Sequence, residues 1–237
     1  MLHRDISPNN LMWAPGGSEQ GQPSGDVGYL IDLDFAAIAE AGTAEQIDIE
    51  DLPHTLALPF LAIDYLLPDT FIEAQSPSTP TERRRHVYRH DLESFFWSLW
   101  WILLKTVCDT VRNKVSASSI EDLLSEWRLP NLRQNRDAKK DFLFRYKRIS
   151  EITSQTLWPQ HEHQGIMESF LNNMSFIIHK GHTDLEKGCD YITAGGHITY
   201  KNLMRVFQQG LYPQMLHGIY SPSDSGSRTA MNFSYVK

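Results

Sequence analysis

One stretch of the chain is apolar on nearly every side. It reaches from Phe95 to Val107 and contains three tryptophans within five residues. The stretch is too short to span a bilayer and contains Lys105. A helix that is hydrophobic all round is instead buried in the core of a globular protein. The pattern therefore predicts a central buried helix over residues 91–105, with Asp91 near its N-terminus.

Further amphipathic patterns follow this helix. Apolar residues recur at helical spacing and predict four helices, over residues 118–127, 137–157, 164–179 and 199–209. Residues 181–197 have no pattern that favours one structure. Residues 221–237 are polar and predict a disordered tail after a domain of residues 1–220.

Strand signals are confined to the first part of the chain. Leu30 and Ile31 form a short apolar pair that predicts a buried strand. The preceding residues 15–28 are rich in Gly, Pro and Ser and predict an exposed loop between two short strands. The expected fold class is therefore α+β and mainly α.

Composition and charge favour one ordinary soluble domain. The chain has 237 residues, of which 41% are hydrophobic and 22% charged. Its net charge of −7 argues against nucleic acid or an anionic membrane as a partner. There are two cysteines without disulfide or metal spacing, and the N-terminus has no signal-peptide pattern. We expect an intracellular location, in the cytoplasm or nucleus.

The first ten residues hold the clearest chemical motif. His3, Arg4 and Asp5 are followed, after four further residues, by Asn10. This is the catalytic-loop pattern of protein kinases, in which an aspartate receives the proton of the attacking hydroxyl and an asparagine binds Mg²⁺. Asp5 is the candidate catalytic residue, and Asn10 the candidate ligand for Mg²⁺ and the nucleotide phosphates. A chance match at a helix N-cap is the alternative.

A second carboxylate is needed for the metal, and two compete for the role. Asp32 follows the apolar pair directly, whereas Asp34 is followed by Phe35 and Ala36 in imitation of Asp-Phe-Gly. We favour Asp32 as the Mg²⁺ ligand and keep Asp34 as the second choice. Neither register has glycine at its third position, so the hinge is stiffer than usual.

Four pieces of sequence together resemble the fungal-type protein kinase family. They are His3-Arg4-Asp5-Ile6-Ser7-Pro8-Asn9-Asn10, Leu30-Ile31-Asp32-Leu33-Asp34-Phe35-Ala36, Leu58-Pro59-Phe60-Leu61-Ala62-Ile63-Asp64 and Arg89-His90-Asp91-Leu92-Glu93-Ser94-Phe95-Phe96-Trp97. The resemblance is good over roughly the first 110 residues and loose afterwards. It implies a kinase C-lobe that begins at the catalytic loop without an N-lobe, ATP and Mg²⁺ as cofactors, and Ser/Thr of a protein as acceptor.

The resemblance also implies supporting roles. His3 would pack under the metal loop, and Arg4 would offer its guanidinium to the activation segment. Asp91 would tie the central helix to the catalytic loop. A plain N-cap without any link to the loop is the alternative for Asp91.

The sequence departs from the family pattern in four respects. Ser7 stands where most Ser/Thr kinases have a lysine, and Ala57 stands where a threonine usually lies. Asp64 occupies the place of the glutamate of Ala-Pro-Glu. Only four residues precede Asp5, so the glycine-rich loop and strand lysine are not in this sequence.

Three classes of function remain. The first is a protein Ser/Thr kinase or its catalytic lobe. The second is a small-molecule kinase of the aminoglycoside or choline type, against which stand Arg4 and residues 56–64, a segment that resembles a peptide-docking strip. The third is a non-catalytic pseudokinase fragment or an incomplete gene model. We expect the chain as written to transfer phosphate feebly or not at all, because nothing in it would cover the phosphates from above.

Overall fold

The computed structural model describes residues 1–14, 27–38, 45–46, 58–66, 85–111, 115–159 and 161–210. Most of these residues are helical: α1 is Tyr88–Thr110, α2 Val115–Glu126, α3 Leu132–Leu157, α4 His161–Glu186 and α5 Tyr200–Gly210. The strands are short: β1 is Leu11–Ala14, β2 Val27–Leu30, β3 Glu45–Gln46 and β4 Arg85–His86. The described part is therefore α+β and mainly α, as the sequence predicts.

Helix α1 lies at the centre of the described helices. Phe96, Trp97 and Trp100 are completely buried on it. Trp97 packs edge-on against Trp127, which directly follows α2, with ring centroids 5.1 Å apart. The burial is not complete on every side, because Ile102 is 41% exposed. The prediction of a buried central helix is confirmed for the side that carries Phe96, Trp97, Trp100 and Leu104, whereas the side that carries Ile102 meets solvent.

An aromatic cluster joins α1 to α3. Phe142 on α3 is completely buried and lies edge-on to Trp97, Trp100 and Trp127, at centroid distances of 5.7, 4.9 and 5.2 Å. Edge-to-face pairs of this kind add roughly 0.5–1.5 kcal/mol each beyond the area that they bury. The amphipathic stripes predicted for α2 and α3 thus meet the apolar surface of α1.

The strands form two separate antiparallel pairs. β1 pairs with β2, with Leu11 opposite Leu30, and β3 pairs with β4. The predicted pair of short strands around the Gly-rich loop is confirmed, but the prediction that it is buried is wrong. Leu30 is 39% and Ile31 is 38% exposed, because a two-stranded ladder leaves its side chains uncovered unless another layer packs on it.

Most helices are longer than their apolar stripes predict. Helix α3 begins at Leu132 rather than at residue 137, because Asn131 caps it by accepting the backbone N–H of Gln134 at 3.1 Å. Helix α4 continues to Glu186, past residue 179, into the segment that has no clear pattern. Polar ends of helices carry no hydrophobic signal, so the stripes mark only the packed part.

Several predictions fall outside the described residues. They concern the loop of residues 15–26, Ala57 and the tail of residues 221–237. Among the described helices, none combines the length and the apolar character needed to cross a membrane.

Candidate active site

The catalytic-loop motif folds back on itself. A 3-10 turn over Pro8–Asn10 brings Asn10 towards the start of the loop. The side-chain amide of Asn10 donates to the backbone carbonyl of Asp5 at 2.8 Å and to Oδ2 of the same residue at 3.1 Å. The two residues that the sequence singles out for proton acceptance and metal binding are therefore in direct contact.

The side-chain hydrogen bonds of Asn10 use its nitrogen, so its oxygen is available to a cation. Its Nδ2 is used twice on Asp5, while no described residue donates to its Oδ1. Asn10 is 7% exposed, so this oxygen lies in a largely enclosed position. An amide oxygen held in this way suits a hard cation such as Mg²⁺.

Ile31 connects the loop to the segment that carries the second carboxylate. Its N–H donates to the carbonyl of Asn10 at 2.9 Å, and its carbonyl lies 3.0 Å from Nε2 of His3. The N–H of Asp5 in turn lies 3.3 Å from Nδ1 of His3. Both contacts are made by one neutral tautomer, with the proton on Nε2. His3 thus links both sides of the candidate site.

Asp32 follows Ile31 and has an unusual backbone. Its φ of 62° lies in the left-handed region, which side chains other than glycine rarely adopt. Such a conformation costs about 1–3 kcal/mol and persists only where neighbouring contacts impose it. The two hydrogen bonds of Ile31 hold the residue that directly precedes Asp32. Asp34 lies two residues after Asp32, in a turn in which the N–H of Ala36 donates to the carbonyl of Leu33.

The three candidate carboxylates do not gather at one point. Within the described ranges there is no cluster of three His, Cys, Asp or Glu side chains that could hold a metal ion. Asp5, Asp32 and Asp34 therefore form no all-carboxylate site. The Mg²⁺ set of Asn10 with one of the later aspartates stays a prediction.

Asp91 joins helix α1 to the loop. Its Oδ2 accepts the backbone N–H of His3 at 2.7 Å, and its Oδ1 accepts that of Arg4 at 3.0 Å. Oδ1 also lies 2.8 Å from Nε2 of His86. Burial alone would raise the pKa of Asp91, but the hydrogen bond from His86 and the two backbone N–H groups outweigh it and lower the pKa. The ionised carboxylate contacts the loop rather than the N–H groups of its own helix.

Arg4, in the catalytic loop, also has a left-handed backbone conformation, with φ 71°. Its N–H is one of the two that Asp91 binds, so the strained residue is held at its backbone. The backbone strain therefore lies at Arg4, where Asp91 holds the chain, directly before Asp5.

A second set of charged residues surrounds the segment of residues 58–66, which we call the docking segment. Asp64 of this segment forms an ion pair with the buried guanidinium of Arg89. Oε1 of Glu93 accepts the N–H of Ile63 at 2.8 Å, and Nζ of Lys139 donates to the carbonyls of Leu58 and Leu61. The docking segment is thus held by its backbone and by its one carboxylate.

These buried charges alter one another's protonation. Burial would raise the pKa of Asp64, but Arg89 and two histidines hold it well below its usual value. Glu93 has a pKa of about 2, because His182, 3.1 Å away, outweighs the effect of burial. Burial would lower the pKa of His182, but the neighbouring carboxylate of Glu93 outweighs burial and raises it. The cluster therefore consists of ionised acids paired with buried cations.

Sequence reasoning missed Arg89, Glu93, Lys139 and His182 as members of one cluster. Lys139 carried a usable signal, because it lies three residues before Phe142 and seven before Tyr146, on the buried stripe of α3. A lysine is almost never fully buried unless it has a hydrogen-bonding or charged partner, so one on such a stripe indicates a paired buried cation. Here it is completely buried.

The comparison with known families agrees with the geometry. Residues 1–103 match the model of a family described as fungal protein kinase. No curated protein and no solved structure matches the chain. The match includes the catalytic loop, Asp32, the docking segment and the first part of α1. Since that family is one of kinases, the match, which covers 103 of the 237 residues, indicates a kinase-like function and a transferase class for this part of the chain.

Proposed function

We propose that this chain carries the catalytic lobe of a protein kinase, which transfers the γ-phosphoryl group of ATP to a serine or threonine hydroxyl of another protein. The contact between Asn10 and Asp5 carries the proposal, because it joins the two side chains that this chemistry needs. The family match over residues 1–103 supports it.

Asp5 is the proposed catalytic residue. Its Oδ2 receives the amide of Asn10, while no described residue donates to its Oδ1. The free oxygen can orient the acceptor hydroxyl and take its proton as the new O–P bond forms. A positioned general base of this kind contributes roughly 10²–10⁴-fold to the rate.

Asn10 and Asp32 are the proposed ligands of Mg²⁺ and, through it, of the nucleotide phosphates. Mg²⁺ held by these residues would supply positive charge that offsets the negative charge developing on the transferred phosphoryl group. Asp32 is favoured over Asp34 because Ile31 fixes its backbone directly against Asn10 and His3. His3, Arg4 and Asp91 are positioning residues, since their contacts set the path of the loop around Asp5.

The proposed partner is a protein substrate rather than nucleic acid or a membrane. Residues 1–220 would form one C-lobe-like domain in which the helices support the catalytic loop and the docking segment receives the acceptor. Cys108 and Cys189 are both free thiols. Free thiols suit a reducing compartment, which supports a cytoplasmic or nuclear setting.

Ser7 limits the activity that we propose. A lysine there would place a cation beside the transferring phosphoryl group, and serine provides none. Ser7 is buried and its carbonyl accepts the N–H of Asn10 at 3.0 Å, so its contribution is to the turn. We therefore expect slow transfer by this chain.

The test is transfer of radiolabelled γ-phosphate from Mg-ATP to casein, with binding of Mg-ATP measured by calorimetry. It compares the chain with Asp5→Asn, Asp32→Asn and Asp34→Asn. We expect Asp5→Asn to lower transfer at least a hundredfold and Asp32→Asn to weaken binding of Mg-ATP. Asp34→Asn is the matched comparison, because it removes the other exposed carboxylate, the second choice of ligand, two residues away.

Three results would contradict the proposal. Transfer that survives Asp5→Asn would mean that another group accepts the proton. Phosphorylation of choline or an aminoglycoside in preference to casein would indicate a small-molecule kinase. Binding of a protein partner without any transfer, both by this chain and by a longer reading frame that includes a glycine-rich loop and strand lysine, would indicate a non-catalytic module.

A further inference from the structure

Lys139 is a buried cation that the proposed chemistry does not use. It lies on α3, its side chain is completely buried, and its Nζ lies over the ring of Trp97 at 5.0 Å from the centroid. The ammonium group donates to the carbonyl of Leu58 at 3.4 Å and to that of Leu61 at a shorter distance. Both acceptors belong to the docking segment, so the two hydrogen bonds of this side chain go to one short piece of backbone.

The charge of Lys139 is unfavourable for the fold. Burial lowers the pKa of its amino group from 10.5 to about 7, although Glu93 acts in the opposite direction. An apolar side chain of similar length would fill the same space without the desolvation cost of a buried cation. The lysine therefore contributes geometry rather than stability: its ammonium group fixes where the two carbonyls point.

The other half of the docking segment is held from a different helix. Glu93 on α1 binds the N–H of Ile63, and Arg89 on α1 pairs with Asp64. Lys139 holds the first half from α3. Three side chains on two helices thus fix one segment of nine residues at both ends, a degree of support that an ordinary surface loop does not need.

The docking segment also makes an aromatic contact beside these anchors, through Phe60, which is itself buried. Phe60 lies edge-on to Trp101 of α1 at 5.5 Å, and the guanidinium of Arg128 lies over Trp101 at 4.6 Å. Trp101 is half-buried and Arg128 is exposed. The backbone that Lys139 fixes therefore leads directly into a surface that another protein chain can reach.

We propose that Lys139 is a positioning residue for acceptor docking. It holds the backbone of Leu58–Leu61 in the shape against which the polypeptide around the phosphorylated hydroxyl binds. This rests on the proposed kinase function, since it assigns the docking segment to the acceptor. Lys139 touches neither Asp5 nor the candidate metal ligands, so its loss weakens acceptor binding and leaves the chemical step intact.

The experiment measures hydrogen exchange of the segment 58–66 by mass spectrometry, on the full chain without ATP or acceptor. We expect Lys139→Met to raise exchange of this segment at least tenfold while α3 stays protected. The matched control is Lys140→Met, which removes the neighbouring half-exposed lysine and its ion pair with Glu186.

The outcomes separate the positioning role from the kinase function. Exchange of the segment that is equal in Lys139→Met, Lys140→Met and the parent chain would overturn the positioning role, whatever the activity. If exchange changes as expected, transfer to casein should show a raised KM and a kcat within about twofold of the parent. An unchanged KM with altered exchange would overturn the docking role. Absence of Asp5-dependent transfer, both in these variants and in a longer reading frame that includes a glycine-rich loop and strand lysine, would instead overturn the proposed function.

Discussion

Oδ2 of Asp91 accepts the backbone N–H of His3 at 2.7 Å, although 88 positions separate the two residues in the chain. The same carboxylate accepts the N–H of Arg4. One side chain in the first turn of α1 therefore sets the path of the loop that carries Asp5. A hydrogen bond to an ionised group contributes about 1.5–3 kcal/mol, roughly twice a neutral one.

Replacing Asp91 by Asn should loosen the loop and lower stability. The amide keeps one acceptor but turns an N–H₂ group towards a backbone N–H or His86, so at least one donor loses its partner. We expect the free energy of unfolding in urea to fall by about 1.5–3 kcal/mol. Asp109→Asn near the other end of α1 is the control, because Asp109 is exposed and its pair with Lys105 is 3.7 Å long. Equal losses in both variants would contradict the role of Asp91.

Acid should destabilise the protein through Glu93. Its pKa is about 2 in the folded chain, against an ordinary value of 4.5. A lowered carboxyl pKa stabilises the fold fully above the unfolded value, and the contribution is lost as pH falls towards 2. The shift corresponds to roughly 3 kcal/mol. Urea unfolding at pH 6, 4 and 3 should show this fall.

Two variants separate Glu93 from the other acids. Glu93→Gln should flatten the dependence of unfolding free energy on pH below 4.5, because the group that titrates is gone. Glu126→Gln should leave the dependence as it is, since Glu126 is exposed at the end of α2. An unchanged slope in Glu93→Gln would show that the pair with His182 does not control acid stability.

The aromatic cluster around Phe142 should dominate core stability. Phe142→Ala leaves a cavity among three tryptophans, and substitutions of this kind cost about 3–5 kcal/mol. Phe144→Ala, two residues later on the same helix, is the control because Phe144 is 76% exposed. Its effect should stay within about 0.5 kcal/mol. Thermal or urea unfolding of the two variants measures the difference.

Two glycines of α4 should respond in opposite directions to alanine. A Cβ at Gly181 would lie 2.7 Å from Cγ1 of Ile198 and 3.2 Å from Ala194, both of them buried. Overpacking of this kind costs about 1–3 kcal/mol. A Cβ at Gly165 would meet nothing within 4 Å, so the better helix propensity of alanine should stabilise by roughly 0.5–1 kcal/mol. Melting temperatures that move in the same direction would contradict the described packing.

The sequence predicted the parts of the fold that depend on local pattern. The apolar run around Trp97 and Trp100 indicated the buried helix, and the turn-rich loop indicated the strand pair. The fixed spacing from Asp5 to Asn10 brought both residues together because a short loop leaves them little freedom. Leu30 and Ile31 were mispredicted as buried, since an apolar pair does not reveal whether another layer covers it.

The cluster around the docking segment could not be predicted in the same way. Arg89 meets the carbonyl of Tyr191 across 102 positions, and Lys139 meets Leu61 across 78. Charged residues are usually solvated, so a sequence gives no reason to pair those that are far apart. Only the position of Lys139 on an apolar stripe marks it as unusual before the fold is known.

The two hydrogen bonds of Ile31 have a consequence for any cation that meets Asn10 and Asp32. The backbones of these residues are already joined through Ile31 and His3, without an ion between them. Ion binding therefore does not have to bring two separate chain segments together, and the loss of conformational entropy on binding is smaller. It follows that Ile31→Pro would weaken the affinity for such a cation. The proline removes the N–H that donates to the carbonyl of Asn10, but it leaves both candidate ligands unchanged.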